Sequence, residues 1–406
     1  MTPLELSQFL RGGEHSTVEF KREEADNRAL ATAMVAFANL SGGVLLIGVD
    51  DDGTVLGVQD PQIDERVVNV ARDLVRPPLV PAVELVSEQR SGRRVAVVTV
   101  ERGYAVHALW HHNHFAWYVR AGRQSREVSP EEMPRLQQQR GTVRGELLAA
   151  GGAGIDVLDL RRLDQYFRVV RDQPDLVPLE TDRAGWDRLL LLTELMTEGH
   201  AGPVSTVAAV VLFGRAGQRV LPHSRVDAAV HPGVEKDYAV VERVSLREPL
   251  VPFRSPTGEV FEPGLADSAV AFVRRALPPT ARLEGVRRVE TPGFPDEVVR
   301  EAVVNALVHR DYALAGTDVE IGVYPDRVEV VSPGRLHNGV TVEAMFAGVR
   351  TARNELIKDV LQDYGYVEHL GLGVPRKIVA GMRAWNGTEP EYDVSVDERV
   401  RLVLRR

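Results

Sequence analysis

"EAVVNALVHRDY", residues 301–312, is an apolar, helix-like stretch with a polar strip along one edge. At 100° per residue Glu301, Asn305, His309 and Tyr312 fall within a sector of about 80°, while Val299, Ala302, Val303, Ala306 and Leu307 cover the far side. Val304 and Val308 flank the strip. A carboxylate and a carboxamide set between valines are costly to bury unless something satisfies them. Two readings follow: a half-exposed helix whose polar edge meets water, or a helix whose edge faces a ligand or metal.

Downstream of this helix, predicted over 295–312, "TDVEIGVYPD" and "RVEVVSPG" alternate apolar and polar residues around a turn and predict an antiparallel hairpin. A loop with Gly334 and Gly339 leads to a helical segment over 353–364 and then to "GYVEHLGLGVPRKIVAGM", where a helix begins after the glycine pair. Upstream lie a helix at 264–276, strand-like pieces "VSTVAAVVLFG" and "SRVDAAVHPG", and helical "LRRLDQYFRVVRD" and "DRAGWDRLLLLTELM". The Gly/Ala-rich "AAGGAGI" marks a linker. Before it, "NRALATAMVAFANL" reads as a helix with Leu30, Met34 and Phe37 on one face. "VLLIGVDDDG" reads as a central strand ending in carboxylates, and "RRVAVVTV" and "HFAWYVRAG" as further strands.

The chain has 406 residues, 44% hydrophobic and 26% charged, the profile of a globular protein of two or three domains. No apolar run approaches the roughly 18 residues a membrane span needs, and "MTPLELSQFLRGGEHS" lacks the basic-then-apolar order of a signal peptide, so a cytoplasmic location without membrane contact is expected. Cysteine is absent, which excludes disulfides, thiolate nucleophiles and cysteine-based metal sites. A net charge of −9 argues against wholesale coating of nucleic acid while leaving room for a local basic face. Lysine occurs only at 21, 236, 358 and 377, never after glycine, so GxxxxGK[ST] and the P-loop motors built on it are excluded.

The E-x-x-x-N helix, the hairpin, "SPGRLHNG" and "GLGVPRKI" resemble the Bergerat (GHKL) ATP-binding fold of the gyrase and histidine-kinase group. "REAVVNALVHRDY", "VEVVSPG" and "GYVEHLGLGV" resemble more closely the divergent ATPase domain of bacterial regulators called RecG-like, over about 295–376. The resemblance implies ATP with Mg²⁺: Asn305 on the metal, Glu301 orienting or deprotonating the attacking water, and Gly371 and Gly373 letting backbone amides approach phosphate. His309, Ser332 and Gly334 join the expected nucleotide pocket, while Arg353 and Asn354, in "ARNELI", have two readings: parts of a lid that reaches a phosphate, or simply the start of a helix. Ser332, Pro333 and Gly334 stand where the larger group carries the adenine-reading aspartate of its D-x-G-x-G box.

"GGEHSTVEFKREE" with "AFANLSGGVLLIGVDDDG" and "WYVRAGRQS" resembles the Schlafen-type AlbA-like (AlbA_2) domain, over roughly 12–140. That resemblance implies nucleic-acid binding, DNA before RNA. In nuclease relatives three carboxylates hold divalent ions, and Glu14, Glu19 and Asp50 occupy the matching positions. The alternative is a structural Glu19–Lys21 pair with Asp50 opening the turn "DDDG". Residues 118–144 carry six arginines against three glutamates; Lys21, Arg120, Arg123 and Arg126 are the expected phosphate contacts. His107, His111, His112 and His114 read as a surface loop before a strand rather than as a zinc site.

The expected architecture is α+β and multidomain: an AlbA/Schlafen-like α/β domain over 1–145, a mixed helical and β connecting region over 146–262, and a Bergerat α/β sandwich over 263–406. The expected function is an ATP-binding, ATP-hydrolysing protein that touches nucleic acid, with a homodimer conceivable. The rivals are a metal-dependent endonuclease regulated by nucleotide and a non-catalytic nucleotide-binding scaffold.

Overall fold

In the computed structural model the run after "SGG" is continuous in apolarity because both of its faces are covered. The structure describes the chain except residues 104, 141–143, 216, 256, 285–286, 292, 338–339, 350, 368–372 and 396–397, and only the backbone at 139, 217–218, 280–284 and 287–291. Gly339 and Gly371 therefore lie outside the described residues. Two compact units divide the chain, Met1–Val143 and Arg144–Arg406.

The first unit contains α1 (Pro3–Gly12), β1 (Val18–Lys21), α2 (Asn27–Ala38), β2 (Gly43–Ile47), α3 (Ile63–Leu74), β3 (Ala82–Ser87) and β4 (Arg94–Val100). The hairpin β5 (Ala108–His111) and β6 (His114–Ala116) follows, then β7 (Tyr118–Ala121) and β8 (Gln124–Glu127). The sheet runs β1-β2-β4-β3, with β1 parallel to β2 and the other pairs antiparallel. Side chains of a strand alternate between faces. Leu45, Ile47, Ala96 and Val98 therefore pack on α2 and α3, while Leu46, Val95 and Val97 join Leu6, Val18 and Phe20 on the opposite face. On α2, capped by the Asp26 carboxylate at Ala29 N–H, Leu30, Met34 and Phe37 are fully buried. Asn39, the asparagine of "FAN", is buried just beyond that helix. Its side-chain amide donates to the carbonyls of His107 (2.7 Å) and Tyr118 (3.0 Å), and its oxygen accepts from His107 N–H (2.8 Å). A motif residue thereby serves as a structural tie.

The elements of the second unit that position the site are α4 (Val207–Phe213), β9 (Val226–Val230), β10 (Glu242–Leu246), α5 (Leu265–Ala276), α6 (Asp296–Val308), β11 (Val319–Val323) and β12 (Arg327–Pro333). They continue with α7 (Glu355–Asp363), a π-helical turn Gly373–Val379, α8 (Ala380–Asn386), β13 (Glu391–Asp393) and β14 (Arg399–Arg405). Among the described residues six strands form a sheet in the order β10-β9-β11-β12-β14-β13. β9 runs parallel to β11, and β11 and β12 form the expected antiparallel hairpin with Ile321 opposite Val330. α5 packs on β9 and β10, and α6 packs on α5 and β12.

The expected boundary at 262–263 falls inside this unit. β9 belongs to the same sheet as β11, and Val226, Ala228, Val303 and Val330 share one core. Two local expectations are corrected. "AAVVLFG" is not a strand: Thr206 caps α4 by accepting from Ala209 N–H, and all seven helical residues are buried, so the run shows no helical periodicity to read. The 295–312 helix stops at Val308, with His309 as its C-cap. The Asn354 side chain takes the carbonyls of Val308 (2.7 Å) and Arg310 (2.9 Å), and Asp311 N–H turns away to Pro333 O (2.8 Å).

Candidate functional site

α6 is buried nearly all round, and Asp296 and Glu297 in its first turn complement its dipole. Glu301 and Asn305 lie one turn apart, and the Asn305 side-chain amide donates to Glu301 Oε1 at 3.1 Å. Glu301 is 8% exposed, and Lys377 Nζ stands 3.9 Å from its second oxygen. The π-helical turn packs along α6 and brings Gly373 against this carboxylate. A Cβ at Gly373 would lie 1.7 Å from Glu301 Oε1, so the bare Cα makes the space the carboxylate occupies.

Glu301, Asn305, His309, Ser332, Gly334 and Gly373 line one cavity of about 400 Å³. That volume lies in the range of small-molecule sites. Its apolar lining includes Ala302, Val330, Leu336, Met345 and Leu402, and its polar lining Arg335, Glu355, Lys358 and Gln362. Two of the chain's four lysines, Lys358 on the wall and Lys377 beside Glu301, converge here. Burial, with Arg353 and Lys358 nearby, lowers the His309 imidazole to about 4, so it is neutral at pH 7. Ser332 Oγ donates to Ala306 O at 2.7 Å, leaving its lone pairs as acceptors. Gly334 has φ +112°, and a Cβ there would lie 2.8 Å from Asp311 Cβ.

Two expected members of the site, Arg353 and Asn354, and one residue of the polar strip, Tyr312, are placed elsewhere. Arg353 is buried behind the cavity, where its guanidinium binds His309 O (3.1 Å), Arg335 O (2.7 Å) and the Asp311 carboxylate (3.3 Å). Asn354 holds the end of α6, as described above. Both stand where α7 starts, with Asn354 as its N-cap, and act as struts, since consecutive polar groups at a loop's end can satisfy buried carbonyls as well as a phosphate. Tyr312 leaves the strip because its hydroxyl donates to Leu307 O at 3.0 Å.

Sequence reasoning missed Glu355, Lys358 and Gln362 because on α7 they form the polar face opposite buried Ile357, Val360 and Leu361, a pattern that reads as solvent-facing. It also missed Glu146. This fully buried carboxylate accepts from Leu356 N–H (3.0 Å) and Ile357 N–H (3.1 Å), capping α7 from just before the stretch read as a linker.

In the first unit each of the three carboxylates meets a basic group. Glu14 accepts from Phe20 N–H (2.9 Å) and stands 3.6 Å from Arg123; Glu19 pairs with Lys21 (2.6 Å) and with buried Arg120; Asp50 is held bidentately by Arg22 (2.9 and 2.8 Å). Among the described residues no three His, Asp or Glu side chains are grouped to hold a metal ion. Arg120 cannot track a phosphate backbone: it is buried against Glu19, the His15 carbonyl (3.0 Å) and the Phe37 ring. Arg126 is exposed but clamped to Glu132 at 2.7 and 2.8 Å, whereas Arg123 is mostly exposed. His107 is buried with Nδ1 2.8 Å from Pro77 O, apart from His111, His112 and His114 at the β5–β6 turn. No described helix is long and apolar enough to cross a membrane.

Residues 14–129 match the family "Schlafen, AlbA_2", and residues 316–404 match the family "Putative ATP-dependent DNA helicase recG C-terminal". The second match begins beyond α6, so the placement of Glu301 and Asn305 rests on their own geometry. The crystal structure of the DIP2311 protein from Corynebacterium diphtheriae is similar over 96% of this chain and 75% of its own, at 19% identity and a TM-score of 0.45. No curated protein matches. The chain is a fusion of a Schlafen AlbA_2 domain at its N-terminal end with a domain of the recG C-terminal family at its C-terminal end.

Proposed function

We propose that this chain binds ATP with Mg²⁺ in the cavity beside α6, hydrolyses it, and contacts nucleic acid, DNA before RNA, through its N-terminal unit. The observation that carries the reading is the hydrogen-bonded pair Glu301–Asn305 facing that cavity with Gly373 cleared around it. The donor set fits the ion: with its N–H spent on Glu301, Asn305 presents an amide oxygen, and Mg²⁺ is commonly held by one or two protein oxygens plus phosphates and water. When bound, Mg²⁺ would neutralise phosphate charge. Glu301, fixed by Asn305 on one oxygen, would accept a proton from water on the other. Lys358 and Lys377 supply positive charge for the phosphates, and the apolar wall would shed water from the base. Ser332 Oγ, its proton committed to Ala306 O, would act as an acceptor for an exocyclic amino group, which suits adenine.

For nucleic acid Arg123 is the leading side chain: it is mostly exposed, and its 3.6 Å approach to Glu14 is longer than the pairs of Lys21 with Glu19 (2.6 Å) and Arg126 with Glu132 (2.7 Å). The neutralised state of Glu14, Glu19 and Asp50 favours structural pairing over a nuclease site. The test is Glu301→Gln, assayed for nucleotide binding and for phosphate release. Retained binding with release lowered by about 10²-fold or more supports the role of general base. Release at the wild-type rate would remove Glu301 from the mechanism.

A further inference from the structure

Residues 102–126 contain no Asp or Glu in a chain that has 58 of them, and they hold four arginines and four histidines. Inside this acid-free stretch β5 and β6 pair Leu109 with Ala116, Trp110 with Phe115 and His111 with His114. His112 and Asn113, both at positive φ (48° and 59°), close the hairpin as a two-residue turn. The register sends Leu109 and Ala116 into the unit, Leu109 into the core shared with α2 and α3. Trp110 and Phe115 share the opposite face.

On that face Trp110 and Phe115 lie 4.5 Å apart between ring centroids, and Phe115 and Trp117 lie 6.2 Å apart at an interplanar angle of 30°. Phe115 is 42% exposed. Among the described residues none of the three rings belongs to a hydrophobic core cluster. Three large rings in a row, Phe115 exposed and Trp110 and Trp117 half-buried, with Trp110 tilted 45° to Phe115, in a segment whose own sequence carries no acid, match the needs of one ligand class. Unpaired nucleobases offer flat faces to aromatic rings while their phosphates avoid carboxylates. A duplex keeps its base faces inside its own stack. An acidic protein surface would satisfy the charge but not the row of rings.

We propose that the β5–β6 hairpin is a stacking platform for single-stranded nucleic acid, with Trp110, Phe115 and Trp117 taking the bases and the histidine turn and Arg123 facing the backbone. This rests on the nucleic-acid reading of the N-terminal unit and narrows it to unpaired strands.

The test uses the full chain with a fluorescently labelled oligothymidylate and a duplex of equal length, read by anisotropy. The wild type is expected to favour the single strand, and Trp110→Ala/Phe115→Ala to lose about tenfold or more of that affinity while duplex binding stays unchanged. If the double variant does not fold, Phe115→Ser and quenching of tryptophan emission by the unlabelled single strand take its place. The loss in affinity and the quenching both support the platform. Equal single-strand affinity in wild type and variant overturns the platform alone. Absence of binding to either nucleic acid overturns the nucleic-acid reading with it.

Discussion

Gly373→Ala separates a functional role of Gly373 from a structural one. The added methyl would fall 1.7 Å from Glu301 Oε1 and 2.5 Å from Glu301 Cδ, and no other atom is comparably close. The group in its way is the far end of a flexible side chain, so the carboxylate swings aside and the backbone stays. Loss of the 3.1 Å bond from Asn305 then costs about 1 kcal/mol, a shift of a few degrees in Tm at most for a unit of this size. The displaced carboxylate no longer addresses the cavity, and general-base contributions run from about 10² to 10⁴-fold. Phosphate release at saturating ATP and Mg²⁺ should therefore fall by about 10²-fold with a near-normal melting curve. Gly334→Ala is the contrast. At φ +112° its methyl meets Asp311 Cβ at 2.8 Å and Asp311 N at 3.3 Å, so it should cost about 1–3 kcal/mol of stability. A Gly373→Ala protein that releases phosphate at the wild-type rate, or unfolds as readily as Gly334→Ala, would refute the reasoning.

Asn354→Ala removes two hydrogen bonds to buried carbonyls at the end of α6 and should cost about 2–3 kcal/mol in urea unfolding, which a lid residue would not. Arg120→Ala, which leaves Glu19 buried with only Lys21, should destabilise the protein by about 2–3 kcal/mol, whereas Arg123→Ala should leave the melting curve unchanged. His309, held near 4 in the folded state against 6.5 when free, makes the unfolded chain the better proton binder between those values. Stability should accordingly fall as pH drops from about 6.5 to about 4, with a slope reduced by up to one proton in His309→Gln, as measured by urea unfolding across that range.

The parts of this fold that were legible in the sequence are those with one wet and one dry face. β11 alternates strictly, with Val319, Ile321 and Val323 on its buried side and Val328 and Val330 continuing the pattern on β12, and α2 shows Leu30, Met34 and Phe37 at helical spacing. α4 was illegible for the opposite reason: with every residue buried, "VAAVVLF" carries no periodic signal, and only the Thr206 cap distinguishes it from a strand. The polar strip was legible at Glu301 and Asn305, but a helical wheel could not show where the helix ends. That depends on Asn354, far along the chain. Arg120, Arg353 and Asn354 share one lesson. A polar residue beside a glycine-bearing loop looks like a ligand contact, yet each is spent on carbonyls or a carboxylate that only the folded chain brings near.

The most direct measurement is a calorimetric titration of ATP with Mg²⁺ into the wild type and into Asn305→Ala. The account predicts saturable binding by the wild type, dependent on Mg²⁺, and its loss or weakening by at least about tenfold in the variant. Heat of binding that is absent from the wild type, or identical in both proteins, would contradict the assignment of this cavity to ATP and of Asn305 to its metal ion.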